Sequence, residues 1–183
     1  MNMIRFMKNI ILILALFSTH NLFAADIFTN MAFKQKISGI YQKALNCNPL
    51  EVDMKTSMNA TDWMSIMPQI PDAIKLAKLS GVANEAKIYA QSKQGSDKVQ
   101  HCYAGCYVGR KLGYESAVMV GWLKELLDSS DCSADTHFEH EDYLATVAGG
   151  LIAHKLIICE HFCGSKSHEN LDGSEMLEAA KRM

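Results

Sequence analysis

Apolar residues recur along most of this chain at intervals of three and four positions, which is the spacing of one face of an α-helix. Phe33, Ile37, Ile40, Tyr41 and Ala44 follow this spacing near the N-terminus. No segment alternates apolar and polar residues convincingly, as a half-buried β-strand does. The pattern predicts an all-α protein, built as a single helical domain of about six helices.

Helix-start signals are strongest in the second half of the chain. Residues 97–100 read Asp-Lys-Val-Gln, and residues 136–139 read Thr-His-Phe-Glu; both resemble capping boxes, in which an N-cap side chain precedes Glu or Gln by three positions. The predicted helices there are 97–112, 115–128 and 136–155.

The organisation predicted along the chain has four parts. These are a signal peptide, an N-terminal helical half, a three-helix region and a polar C-terminal tail, at residues 1–24, 25–95, 96–163 and 164–183. A helix is expected over 72–91 with a break at Gly81, because glycine weakens helix interiors. A short amphipathic piece at 175–182 is expected to be loosely attached.

The first 24 residues have the layout of a secretory signal. Arg5 and Lys8 precede eight consecutive apolar residues, 10–17, and Ala24 offers a small residue at the cleavage point. Eight apolar residues cannot cross a hydrocarbon layer of about 30 Å, so no transmembrane anchor is expected after cleavage. We therefore expect a periplasmic or secreted protein.

The overall charge argues against one class of partner. The chain has 49% hydrophobic and 21% charged residues and a formal net charge of −2. A chain that binds nucleic acid usually carries a basic patch or stripe. Nucleic acid is therefore not an expected partner.

Six cysteines, all after the signal, predict up to three disulfide bonds in an oxidising compartment. Two pairs, Cys102/Cys106 and Cys159/Cys163, have C-x-x-x-C spacing and place both sulfurs on one helix face. Six cysteines permit 15 pairings, and sequence does not choose among them. The pairing we favour joins these two pairs to each other and leaves Cys47 with Cys132. A zinc site is the alternative, although C-x-x-x-C is not the usual zinc spacing.

Small residues and ionisable residues share one face on each of the three predicted helices. The faces are His101-Gly105-Gly109-Leu112, Ala117-Gly121-Glu125-Asp128 and Phe138-Asp142-Ala145-Gly149-Ala153. Small residues let helices approach closely, which would bring the ionisable side chains together. The candidate catalytic residues are Glu125, Asp128, Asp142 and His101.

This cluster has three interpretations. It can be a general acid–base centre, a divalent-metal site, or a structural network that fixes how the helices cross. Lys124, four residues before Asp128, would supply part of the neutralisation. Residues 137–141 contain two histidines and two acids, but they are better explained as a solvated helix start. No nucleotide-binding glycine pattern occurs, and no cofactor or metal is assigned.

Three short motifs in this region resemble a known family. They are D-K-x-x-H from Asp97, K-E-x-x-D from Lys124 and D-x-x-A-x-x-x-G from Asp142. Together, from Gly95 to His154, they resemble uncharacterised small bacterial envelope proteins and lipoproteins and, more distantly, VanZ-like membrane proteins. The resemblance implies a polar centre at the cell envelope. It singles out these positions: Asp97, Lys98, His101, Lys124, Glu125, Asp128, Asp142 and Gly149.

Two functions follow as expectations. The first is a hydrolase of cell-wall glycan or lipid, with Glu125 as the leading general acid or base, a second carboxylate ionised nearby, and His101 orienting substrate. Such an enzyme would have an envelope polymer or lipid as its partner. The second is a non-catalytic periplasmic protein, structural or binding, whose polar network is buried.

Overall fold

All regular structure in the described part of the chain is helical. The computed structural model describes residues 35, 37–44, 46, 47, 73–133 and 138–183, and no strand occurs among them. Besides a helical stretch at 37–44, the helices are α1 (Ala73–Gln91), α2 (Asp97–Leu112), α3 (Tyr114–Ser130), α4 (His140–His154), α5 (Cys159–Phe162) and α6 (Gly173–Arg182). The all-α prediction is confirmed. The signal peptide expected at 1–24 lies outside the described residues.

These residues fall into two compact units. One comprises Gly81–Glu125 and Glu139–Met183, and it holds α2, α4, α5 and α6 whole. The other comprises the described residues up to Ser80 together with Leu126–Phe138. No helix in the described ranges is both long enough and apolar enough to cross a membrane.

The starts of α2 and α4 differ from their predicted positions. The N-cap of α2 is Ser96, not Asp97, because the Ser96 hydroxyl accepts the hydrogen bond from the Val99 N–H. Asp97 therefore lies in the first turn, where a carboxylate interacts favourably with the helix dipole. The α4 helix begins only at His140, after Glu139. The expected cap residue Thr136 lies outside the described residues.

Two further expectations about helices were wrong. The α1 helix continues through Gly81 without a break. The C-terminal piece is a firmly packed helix, α6, with a full capping box formed by Asp172 and Glu175. Its Met176 and Ala180 are fully buried.

Disulfide bonds hold the larger unit together around a core formed mainly by α2, α4, α5 and α6. Cys102 bonds to Cys163 and Cys106 bonds to Cys159, with Cα–Cα distances of 5.7 and 6.0 Å. In the other unit Cys47 bonds to Cys132. All six cysteines are thus oxidised, as predicted, in the pairing that the two C-x-x-x-C faces favour.

Candidate functional site

Glycines bring α2 and α3 close to α4 at the candidate site. A Cβ atom on Gly105 of α2 would lie 1.9 Å from the Thr146 carbonyl oxygen of α4. A Cβ on Gly121 of α3 would lie 2.8 Å from the Thr146 Cγ2. Only glycine permits these approaches, and they bring ionisable side chains from all three helices to the start of α4.

Asp142 is the buried carboxylate at the centre of the site, with 1% of its side chain exposed. Its Oδ1 forms an ion pair with the Lys98 Nζ. Its Oδ2 accepts no hydrogen bond and lies 3.4 Å from the His101 Nε2 and 4.0 Å from the Lys124 Nζ. One oxygen of this carboxylate is therefore well satisfied and the other is not.

His101 contacts α4 through both of its ring nitrogens. The Thr146 hydroxyl donates a hydrogen bond of 3.0 Å to the Asp142 carbonyl oxygen. The same hydroxyl oxygen lies 3.2 Å from the His101 Nδ1, and the direction of this contact depends on the tautomer of the ring. With its hydrogen on Nδ1 the ring donates to Thr146, and with its hydrogen on Nε2 it faces Asp142 as a donor.

His101 is also neutral at physiological pH. Burial and, secondarily, the positive charge of Lys124 lower the pKa of His101 to about 3. The ring remains 14% exposed. A neutral ring with its hydrogen on Nδ1 presents a lone pair at Nε2, beside the Asp142 Oδ2.

Glu125 has a different environment, because its side chain is completely buried. Its Oε2 accepts a hydrogen bond of 3.2 Å from the Glu139 N–H, at the residue that precedes α4. Its Oε1 lies 3.0 Å from the Lys124 Nζ. Glu125 thus ties the start of α4 to the end of the glycine-lined part of α3.

Lysines balance part of the negative charge. Lys98 contacts Glu139 at 3.2 Å in addition to Asp142. The Lys124 Nζ lies between the carboxylates of Glu125 and Asp142, whereas the sequence pattern paired this lysine with Asp128. The side chains of Lys98 and Lys124 are 23% and 29% exposed, so the site reaches the protein surface.

The structure places three of the four candidate catalytic residues together. His101 lies beside Asp142, and Lys124 connects Asp142 to Glu125. Asp128 is further along α3, within the other compact unit. Its role in the site therefore stays a prediction.

Sequence reasoning missed one contributor to the site and did not anticipate the contacts of two others. Thr146 was not singled out, although it follows Asp142 by four residues on the same face of α4. Glu139 and Glu141 were assigned to a solvated helix start. Instead Glu139 binds Lys98, and Glu141 accepts a hydrogen bond from the Ser174 N–H at the start of α6.

Comparisons with protein-family models, with curated proteins and with solved structures found no match to this chain. The likeness to small bacterial envelope proteins therefore stays a prediction. The fold and site define a class only in physical terms: a disulfide-bonded all-α protein with a charged, partly exposed centre between three helices.

Proposed function

We propose that this protein is an exported hydrolase that acts on a glycan or lipid of the cell envelope, in the periplasm or outside the cell. The observation that carries the proposal is the His101–Asp142 pair, in which the ring nitrogen Nε2 lies 3.4 Å from an oxygen of a buried carboxylate. The neutral imidazole can orient an attacking water through a hydrogen bond, and the Asp142 Oδ2, which accepts no hydrogen bond, can take the proton from that water.

The surroundings of this pair suit hydrolysis. Asp97 is exposed, and the side chains of Lys98 and Lys124 are partly exposed. Positive charge at the rim stabilises negative charge that develops on a substrate oxygen during hydrolysis. Within this proposal Glu125 is a positioning residue, because its side chain is sealed from solvent and its two oxygens face Glu139 and Lys124.

The cysteines support the proposed location. Three disulfide bonds in one chain are typical of oxidising compartments and rare in the cytosol. Together with the signal-like N-terminal segment, they favour export.

A non-catalytic structural role is the second candidate, favoured by the complete burial of Glu125. A buried carboxylate with a hydrogen bond and an ion pair can fix the geometry of helices without taking part in a reaction. The two candidate functions predict different effects of replacing His101 and Glu125 on turnover and on stability.

The hydrolase proposal predicts that His101→Asn lowers turnover by about 10²-fold, because the attacking water would no longer be oriented beside Asp142. The measurement is product release by the purified protein from cell-wall glycan and from phospholipid vesicles, assayed separately. His161→Asn, at an exposed histidine, is the matched control and should retain activity. If the unaltered protein hydrolyses neither substrate class, the structural candidate replaces the hydrolase.

Glu125→Gln is expected to destabilise the fold by about 1–3 kcal/mol, because the Glu139 N–H loses a charged acceptor and the partly exposed Lys124 loses one of its ion-pair partners. The measurement is the free energy of unfolding in urea. Glu115→Gln, at an exposed position on the same helix, should change it by less than about 0.5 kcal/mol. An unchanged stability with lost turnover would instead make Glu125 the acid or base.

A further inference from the structure

Three potential metal ligands meet at the surface side of this centre. Asp97 and His101 are one helical turn apart on α2, and Asp142 faces them from α4. One ligand atom from each lies within 4.8 Å of the other two. Such clusters are common without a metal ion, so the details of the contacts decide the matter.

The first such detail is the Asp142 Oδ2. This oxygen is buried, accepts no hydrogen bond, and points towards His101. Leaving a buried carboxylate oxygen without a donor is costly. The nearest atom of His101, Nε2, lies 3.4 Å away. In the tautomer with its hydrogen on Nδ1, Nε2 carries a lone pair, and a cation between this nitrogen and the Asp142 Oδ2 would satisfy both atoms.

The distance between these atoms fits a tetrahedral ion. Two ligands that each lie about 2.1 Å from Zn²⁺ at the tetrahedral angle are about 3.4 Å apart. Adjacent ligands of an octahedral ion at about 2.1 Å would be only about 3.0 Å apart. The observed separation of Nε2 and Oδ2 is 3.4 Å.

The neighbours of these ligands have the arrangement that metal sites require. A histidine that binds a metal through one nitrogen usually donates its other N–H to an acceptor, which fixes the ring. Here the Thr146 hydroxyl is placed to accept that hydrogen bond. Lys98 binds the other oxygen of Asp142 and so holds the carboxylate in place.

The charges also fit a divalent ion. Glu139 lies against Lys98, and Glu125 lies against Lys124, so these lysines have carboxylate partners outside the proposed ligand set. The charges of Asp97 and Asp142 then remain to balance the charge of a divalent ion. Asp97 is exposed, so its side chain is free to rotate towards the other ligands and one side of the ion would face solvent.

We propose that Asp97, His101 and Asp142 bind one Zn²⁺ ion per chain in a tetrahedral site, with water as the fourth ligand. The proposal goes beyond hydrolysis, because ion binding needs no substrate. In the zinc-bound protein the ion would occupy the His101 Nε2 and the Asp142 Oδ2, so the ion would replace these two groups in handling the water. Three protein ligands and an open position are the arrangement of catalytic rather than structural zinc sites, and an ion there would activate water.

The test is Zn²⁺ binding to the purified chain with its disulfide bonds intact, after chelator treatment and dialysis. Titration calorimetry should give one ion per chain, and His101→Ala should weaken binding by at least about 100-fold. Asp97→Asn, at an exposed position that the fold does not need, should also weaken binding. Thr146→Val, which removes the acceptor for the ring N–H, should weaken it by about 10–100-fold. His161→Ala is the control for adventitious binding at a surface histidine and should change nothing.

Co²⁺ in place of Zn²⁺ reports the coordination geometry. A tetrahedral site gives intense visible absorption, which should be absent from His101→Ala. Circular dichroism of each variant shows whether it is folded. The proposal would be overturned if the unaltered chain bound no Zn²⁺, or if the His101→Ala and Asp97→Asn variants bound it as tightly as the unaltered chain does. The weak absorption of octahedral Co²⁺ would also overturn it. Because no substrate is present, failure here is distinct from failure of the hydrolase assay.

Discussion

Replacing Gly149 with alanine is expected to cost more than about 3 kcal/mol of folding free energy, the upper end of what overpacking usually costs. A Cβ atom there would lie 1.9 Å from the Cys102 carbonyl oxygen and 2.7 Å from the Cys106 nitrogen. These are backbone atoms, so no side-chain rotation relieves the overlap. Both cysteines are also tied by disulfide bonds, which keeps α2 from moving away. Urea denaturation followed by circular dichroism measures the loss.

Gly81→Ala is the matched control for this substitution. Gly81 also lies within a helix, but among the described residues no atom outside the neighbouring backbone of that helix is within 4 Å of the position that its Cβ would occupy. Alanine there should leave stability unchanged or raise it by up to about 1 kcal/mol. A Gly149→Ala protein that unfolds at the same urea concentration as the unaltered chain would contradict the close packing of α2 on α4.

Sequence periodicity, together with the capping and turn residues, was sufficient to predict most of the helices, although α4 is buried on nearly every side and has no single apolar face. It was less reliable at helix starts, where one local hydrogen bond decides between neighbouring residues. Ser96 and Asp97 are both good N-caps by type, and the choice of Ser96 depends on which side chain reaches the Val99 N–H. That choice leaves the Asp97 carboxylate available to the cluster with His101.

The small-residue faces were informative about the site for a physical reason. Gly105 and Gly121 were placed on the contacting faces of α2 and α3, and both meet Thr146. The close approach explains why ionisable groups near the ends of those faces lie together. The sequence did not indicate that Glu125 is sealed from solvent. Its Oε2 accepts a hydrogen bond from the Glu139 N–H, and this contact forms only when α4 packs against α3.

A metal site was weighed from the sequence but not assigned. Aspartate and histidine four residues apart on one helix are a common pattern on solvent-exposed faces, so the spacing of Asp97 and His101 carries little weight alone. The weight comes from Asp142, which is on another helix and has an unsatisfied oxygen. The position of Asp142 beside the other two ligands, and the missing hydrogen bond at its Oδ2, both depend on how the helices pack and cannot be read from the sequence.

The two disulfide bonds of the larger unit are nested, and this arrangement predicts how their removal combines. Cys106–Cys159 lies inside Cys102–Cys163, with chain separations of 53 and 61 residues. In the chain-entropy description, the first bond to form closes a long loop and contributes about 4 kcal/mol. The second then closes a loop of only about ten residues and contributes about 2.6 kcal/mol.

Removing either bond alone, by Cys102→Ala with Cys163→Ala or by Cys106→Ala with Cys159→Ala, should therefore cost about 2.6 kcal/mol. Removing both should cost about 7 kcal/mol, which exceeds the sum of the two single losses. Because a small domain has only about 5–15 kcal/mol of stability, the variant without either bond is expected to be largely unfolded at 37 °C, while each single variant stays folded. Thermal denaturation of the three variants, followed by circular dichroism, measures this difference. The model of two nested loops would be wrong if the loss of stability on removing both bonds equalled the sum of the two single losses. It would also be wrong if the variant lacking both bonds stayed folded.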